Sequence, residues 1–227
     1  MTASSPQQFR RTWTPRSTAT RTIPSTVWAA GIEPLDPGDR WPIPILSRAV
    51  TEFSAPASRV LLIGWPAAAR RGPLQVIPAG TGGALAAVEA LDRRPRIEPT
   101  AGEGPQDSHA TAPLVLVSLL ADHEDGLQPG PVADLAAPRV AEGGLLVVLS
   151  RCRHSRTGVL DDPAVAVVAA AQAADLLYLQ HIIATPLHGD TITTATPPVP
   201  TGLARHAVAH TDVLVFLRPA SAPAPQQ

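Results

Sequence analysis

Arg59-Val60-Leu61-Leu62-Ile63-Gly64 is the stretch on which the reading of this chain turns. Its β-branched and leucine residues follow one another with no polar alternation. Such a run suits a strand covered on both faces, as in a parallel sheet flanked by helices. Gly64 then allows a tight turn at the strand's carboxyl end, the edge at which open α/β sheets bind ligands. Two runs of the same kind follow, Leu114–Leu120 and Leu145–Ser150. These three form the predicted spine of the sheet.

Helical signals alternate with these runs. Upstream, Ile45–Phe53 places Ile45, Leu46, Ala49, Val50 and Phe53 on one stripe. After Gly64 come a basic turn, Arg70-Arg71-Gly72-Pro73, and a second apolar piece, Leu74–Ile77. Gly80-Thr81-Gly82-Gly83 then opens a helix over Ala84–Leu91, ended by Arg93, Arg94 and Pro95. Residues 95–112 lack periodicity and read as a loop. Val132–Val140 reads as a short helix with Gly143-Gly144 as its stop. Asp161-Asp162-Pro163 is a helix start, and that helix runs to about Ala174. Leu176–Ala184 is a strand, a proline-rich loop follows, and Asp212–Leu217 is the last strand. Alternating strands and helices indicate a parallel sheet. The last two strands have no helical period between them, which predicts antiparallel pairing, with Asp212–Leu217 inserted beside Leu145–Ser150.

Composition narrows the class. The 227 residues suffice for one domain with loose ends, expected over 25–219. Residues 1–24 carry Arg10, Arg11, Arg16 and Arg21 and no acid. A transit peptide or a basic arm has that composition, and a plain disordered arm is the simplest reading. Residues 220–227 read as a tail, with order beginning near Thr26-Val27-Trp28. A net charge of −1 argues against a strong nucleic-acid binder or a polybasic membrane protein. A single cysteine, Cys152, excludes an internal disulfide. No apolar run approaches ~18 residues, so no membrane span is expected, and the cytoplasm is the default location.

Several residues invite chemical readings, each with a plainer one beside it. Gly80-Thr81-Gly82-Gly83 at a helix start would receive an anionic group on backbone amides, or simply let the helix begin. Asp122-His123-Glu124-Asp125 follows a central strand, where it would hold a metal, act as a base, or be a solvated loop. His206 and His210, four apart, share a helical face if that segment is helical, but no metal-site partner accompanies them. Cys152 with His154 suggests a nucleophile and its base, yet no acid or oxyanion motif supports them, and a quiet thiol is the simpler reading. Trp65 would stack on an adenine or cap the core. No metal ligands and no catalytic residues are assigned.

The order of elements resembles class I S-adenosylmethionine-dependent methyltransferases, Rossmann-like proteins whose last strand inserts antiparallel into a mostly parallel sheet. Ser25-Thr26-Val27-Trp28-Ala29 looks like the opening of actinobacterial DNA-methylase-like proteins, and the run from His210 to Pro219 looks like their closing strand. Ala141-Glu142-Gly143-Gly144-Leu145-Leu146-Val147-Val148 is similar to the lead-in and fifth strand of that family. The resemblance covers roughly residues 25–219. It implies an S-adenosylmethionine site at Gly64, Trp65, Gly80, Gly82 and Gly83, and nucleic acid as a partner.

The departures fall on the working parts. The family's first strand ends in an Asp-Pro-x-x-Gly-x-Gly loop, where this chain has Ile63-Gly64-Trp65-Pro66. Setting Val76-Ile77-Pro78-Ala79-Gly80-Thr81-Gly82-Gly83 against that loop recovers the glycines but puts Ile77 in place of the acid. The family's fourth strand ends in a Ser/Asp/Asn-Pro-Pro-Tyr motif that holds the target amine. Here it reads Ser118-Leu119-Leu120-Ala121, without prolines or a ring to stack on a flipped base. The resemblance therefore implies a degenerate member with a binding or scaffolding role. The alternative is an active methyltransferase with a divergent site built on Asp122, His123 or Glu124.

Overall fold

The computed structural model describes residues 26–64, 70–71, 74–75, 80–97, 111–120, 129–154, 159–194 and 208–220. Seven strands make one sheet: β1 (Val27–Ala29), β2 (Arg59–Gly64), β3 (Arg94–Ile97), β4 (Ala112–Ser118), β5 (Val140–Ser150), β6 (Leu177–Thr185) and β7 (Thr211–Leu217). Their spatial order is β1-β6-β7-β5-β4-β2-β3. Every pairing is parallel except those of β7, which lies antiparallel between β6 and β5. This is the mostly parallel, Rossmann-like sheet with an inserted antiparallel last strand that the missing crossover predicts.

The unalternating runs are explained by burial on both faces. Leu62, Leu114, Leu116, Val147, Leu149, Val213 and Val215 point to one side. There they meet α1 (Ile43–Phe53) and α2 (Thr81–Ala90) through Leu46, Val50, Ala84 and Val88. Leu61, Ile63, Val115, Val117, Leu146, Val148, Leu214 and Phe216 point to the other. There they meet α3 (Pro129–Ala136) and α4 (Ala164–Ala173). A polar residue within these strands would lie against a helix whichever way it pointed. α1 ends at Ser54, whose carbonyl accepts a 2.7 Å hydrogen bond from Arg93 Nη2, so the arginine closing α2 also caps α1. α4 begins as its sequence predicts, with Asp162 Oδ1 accepting from the Ala164 amide at 3.0 Å.

Several boundaries differ from the sequence reading. Residues 95–112 are not a loop throughout: Arg94-Pro95-Arg96-Ile97 is β3, parallel to β2. Pro95 is tolerated there because β3 is an edge strand. Val27–Ala29, read only as the onset of order, is the opposite edge. α2 starts at Thr81, so Gly82 and Gly83 lie inside its first turn rather than before it. The helix expected over Val132–Val140 is α3 followed by a 3-10 turn at Ala137–Arg139, and Val140 is already strand. The loop after β6 carries a small hairpin, Leu187–His188 with Thr191–Ile192. Of the piece Leu74–Ile77, Leu74–Gln75 pairs with Arg70–Arg71, and the rest lies outside the described residues. The expected arm at 1–24 and tail residues 221–227 also lie outside them.

Gly143-Gly144 is the largest correction. The pair does not stop a helix; it sits in β5, where Ala112 pairs with Val140 but Leu114 with Leu145. The chain bulges between these positions, and Gly143 adopts φ +71. Its amide donates to the Arg218 carbonyl at 2.9 Å, and the Arg218 amide donates to Gly144 at 3.0 Å. Arg218 Nη1 also donates to the Val140 carbonyl at 2.7 Å. The glycine pair and the residue that follows β7 are thus one interlocking unit.

Candidate functional site at the carboxyl edge

Gly64, Ser118, Ser150 and Thr185 end parallel strands on one edge of the sheet, and the antiparallel β7 brings Thr211 and Asp212 to the same edge. The segment from Gly31 to Trp41 lies over it as a strap. Its start is tied: the Ala30 amide donates to the Thr185 carbonyl, and the Leu187 amide to the Gly31 carbonyl, both at 2.9 Å. Asp36 Oδ1 and Asp39 Oδ1 accept from the amides of Gly38 and Trp41, at 2.8 and 2.9 Å, and fix its turns. Leu35 and Trp41 bury their side chains beneath it.

The two glycine candidates differ in surroundings. A Cβ on Gly64 would lie 3.4 Å from Arg40 Nη1 and 3.5 Å from Arg40 Cδ, so the strap's arginine covers the tip of β2. Burial lowers the Arg40 pKa. Gly80 precedes α2 with φ +80, a conformation that favours glycine. Gly82 and Gly83 are exposed, and a Cβ on either would meet nothing within 4 Å. Since α2 follows β2 and leads back to the parallel β3, its start lies on the same edge as Gly64. Trp65 lies outside the described residues. From Gly64 to Val88 the sequence holds no acid.

At the tip of β4 the polar groups are already engaged. Ser118 Oγ donates to the Arg40 carbonyl, and the Leu119 carbonyl accepts from Arg153 Nη2 at 3.0 Å. Leu119 and Leu120 are buried. Asp122, His123, Glu124 and Asp125, which follow this tip, lie outside the described residues.

Strand register assembles a cluster on the opposite side of the same edge. Asp212, only 5% exposed in its side chain, receives His181 Nε2 at 2.8 Å and His210 Nε2 at 3.4 Å on one oxygen, Oδ1. Burial acts to raise the Asp212 pKa, but the hydrogen bonds from His210 and His181 outweigh it and the net shift is downward. The hydrogen bond to Asp212 raises the His210 pKa against the opposing effect of burial. His210 immediately precedes β7 and is not on a helix, and His206 lies outside the described residues. Cys152 is half-buried beside this cluster. Burial, and then the nearby Asp162 and Asp212, push its thiol up to about 11, so it is protonated at neutral pH and a poor nucleophile. His154 lies in a two-residue strand with Leu160–Asp161. Among the described residues no group of three or more His, Cys, Asp or Glu is placed to hold a metal ion, and no helix is long and apolar enough to cross a membrane.

The signs of these shifts set a pH dependence. The depressed Asp212 contributes stability present above its unfolded pKa of about 3.9 and lost as pH falls through its folded pKa. The raised His210 contributes stability present below its unfolded pKa of about 6.5 and lost as pH rises through its folded pKa. The melting-temperature gap between wild type and Asp212→Asn should therefore be widest between about pH 4 and 6.5. It should narrow on the alkaline side, and that narrowing should vanish when both proteins also carry His210→Gln. A gap that stays constant from acid to alkaline pH would refute the coupling.

No protein-family model matches the chain, and no curated protein matches it. Solved structures do. It is similar to the N-methyltransferase NodS from Bradyrhizobium japonicum WM9, with 17% identity over 78% of this chain and 94% of that one, at a TM-score of 0.43. It is also similar to the 1,6-didemethyltoxoflavin-N1-methyltransferase from Burkholderia thailandensis, whose structure holds S-adenosylhomocysteine. That likeness has 13% identity over 80% of each chain and a TM-score of 0.46. A third is a SAM-dependent methyltransferase from Methanosarcina mazei, with 8% identity over 76% of this chain and 97% of that one, at a TM-score of 0.42.

Proposed function

We propose that this chain is a catalytically silent relative of DNA-methylase-like methyltransferases, a single domain over 25–219 that acts in the cytoplasm by binding or scaffolding. The observation that carries this reading is the tip of β4. Holding an amine for methylation takes a side-chain acceptor and a carbonyl on a rigid turn. Here the Ser118 hydroxyl is turned to Arg40 and the Leu119 carbonyl to Arg153. The β2 tip supports the same reading, since Arg40 lies where a ligand would approach Gly64 and no acid follows before Glu89.

Thermal melting with S-adenosylmethionine tests the cofactor half of the proposal. A ligand that binds only the native state adds about 2.7 kcal/mol of stability at a hundredfold excess over its Kd. Millimolar S-adenosylmethionine should leave the melting temperature unchanged. A saturable rise, abolished by Gly64→Val or by Gly82→Val, would restore the cofactor site and show which glycines form it.

A further inference from the structure

Among the described residues, two buried donors beneath the strap have no acceptor. Arg151 is 4% exposed; its Nε donates to Thr211 Oγ1 at 2.8 Å and its Nη1 to the Asp36 carbonyl at 2.9 Å. Its Nη2 has no hydrogen-bond partner. Trp41 is 2% exposed, and its Nε1 is likewise without a partner. Both lie on one side of the sheet. Alternation along β5 and its extension puts Arg151 with Leu149 and Val147, on the side where Trp41 packs. A buried donor left unmet bears its full desolvation penalty, and a charged one bears the most.

The chemistry of the missing partner follows from these groups. A guanidinium and an indole N–H donate and never accept, so what completes them is acceptor-rich. Burial dominates Arg151 and pulls its pKa down to about 10, a cost that an anion against Nη2 would relieve. Asp36 and Asp39 lie near enough to act on Arg151, but each also fixes a strap amide. Their charge opposes a dianion more than a monoanion. Gly64, beside the Trp41 ring, ends β2, and Arg151 follows β5, with β4 between the two strands.

We infer that the strap covers a binding site for a small organic acid, its carboxylate on Arg151 Nη2 and a second acceptor on Trp41 Nε1. This goes beyond binding without methyl transfer and stands whether or not S-adenosylmethionine binds. Because both donors are buried, the strap between Gly31 and Trp41 must lift for the acid to enter.

The experiment titrates the full chain, labelled at its indole nitrogens, with 4-hydroxybenzoate and separately with inorganic phosphate. The Trp41 N–H resonance, identified by its loss in Trp41→Phe, should move saturably with 4-hydroxybenzoate. Phosphate should move it less, at higher concentration. Arg151→Gln should weaken 4-hydroxybenzoate by about tenfold or more, as loss of a hydrogen bond to a charged group does. If that variant does not fold, binding of 4-hydroxybenzoate to Trp41→Phe, followed by isothermal titration calorimetry against wild type, decides instead and should be weakened. A resonance unmoved at millimolar 4-hydroxybenzoate would overturn the inference. So would phosphate binding as tightly as the acid, or a folded Arg151→Gln that binds like wild type.

Discussion

Gly144→Val is expected to destabilise this protein more than a substitution at any other glycine described. A Cβ at Gly144 would stand 2.8 Å from the Ala141 carbonyl oxygen and 2.9 Å from that of Pro113, with Val140 Cγ1 at 3.2 Å. Both oxygens are backbone, held by the bulge and the ladder between β4 and β5, so neither yields as a flexible side chain would. Overpacking of this kind costs about 1–3 kcal/mol, and valine adds two methyls beyond the Cβ. For a domain of this size that lowers the melting temperature by roughly 2–12 °C. Gly83→Ala is the contrasting control. That position is helical with open space around it, and alanine there should add up to about 1 kcal/mol. A Gly144→Val protein that melts with wild type would mean that the bulge is not built as described.

The second large effect is on rate. Methyl transfer to an exocyclic amine needs the amine's lone pair freed and aligned with the methyl carbon by acceptors on a rigid turn. Losing one such preorganised group costs about 3 kcal/mol, a hundredfold or more in rate. At the tip of β4 nearly the whole motif is absent, and the hydroxyl and carbonyl that remain hydrogen-bond to Arg40 and Arg153. Labelled S-adenosylmethionine should therefore transfer no detectable methyl to single- or double-stranded DNA. A transfer signal that survives purification and disappears in Asp122→Ala or Glu124→Ala would replace this reading with that of an active enzyme.

Four of the longer strands were legible because both of their faces are buried. A strand so placed is apolar along its length, and the runs around Leu61, Leu116, Val147 and Val215 announce themselves without a partner. The antiparallel seat of β7 was legible for a different reason, the absence of a crossover helix. The edge strands were not. β1 is three residues long, and β3 alternates exposed arginines with half-buried Pro95 and Ile97, a pattern that also fits a loop. Gly143-Gly144 misled because a glycine in the left-handed region ends helices and makes bulges alike. Only the pairing with Arg218 decides between them.

The candidate site was far less legible. The sequence determined that Gly64 closes a central strand and that the acid and the proline-aromatic turn of the resembled family are missing, because identity and order along the chain settle both; that the next strand stops at Ser118 rather than Leu120 came from the structure. It carried no sign that Arg151 reaches the strap 115 residues away, or that His181 and Asp212, 31 apart, share a hydrogen bond. Such contacts depend on register and on which side of the sheet a side chain faces. An antiparallel strand inserted one residue out of step would have turned Asp212 toward the strap and Thr211 toward the histidines. Composition and spacing would have been unchanged, so only the tertiary structure decided it.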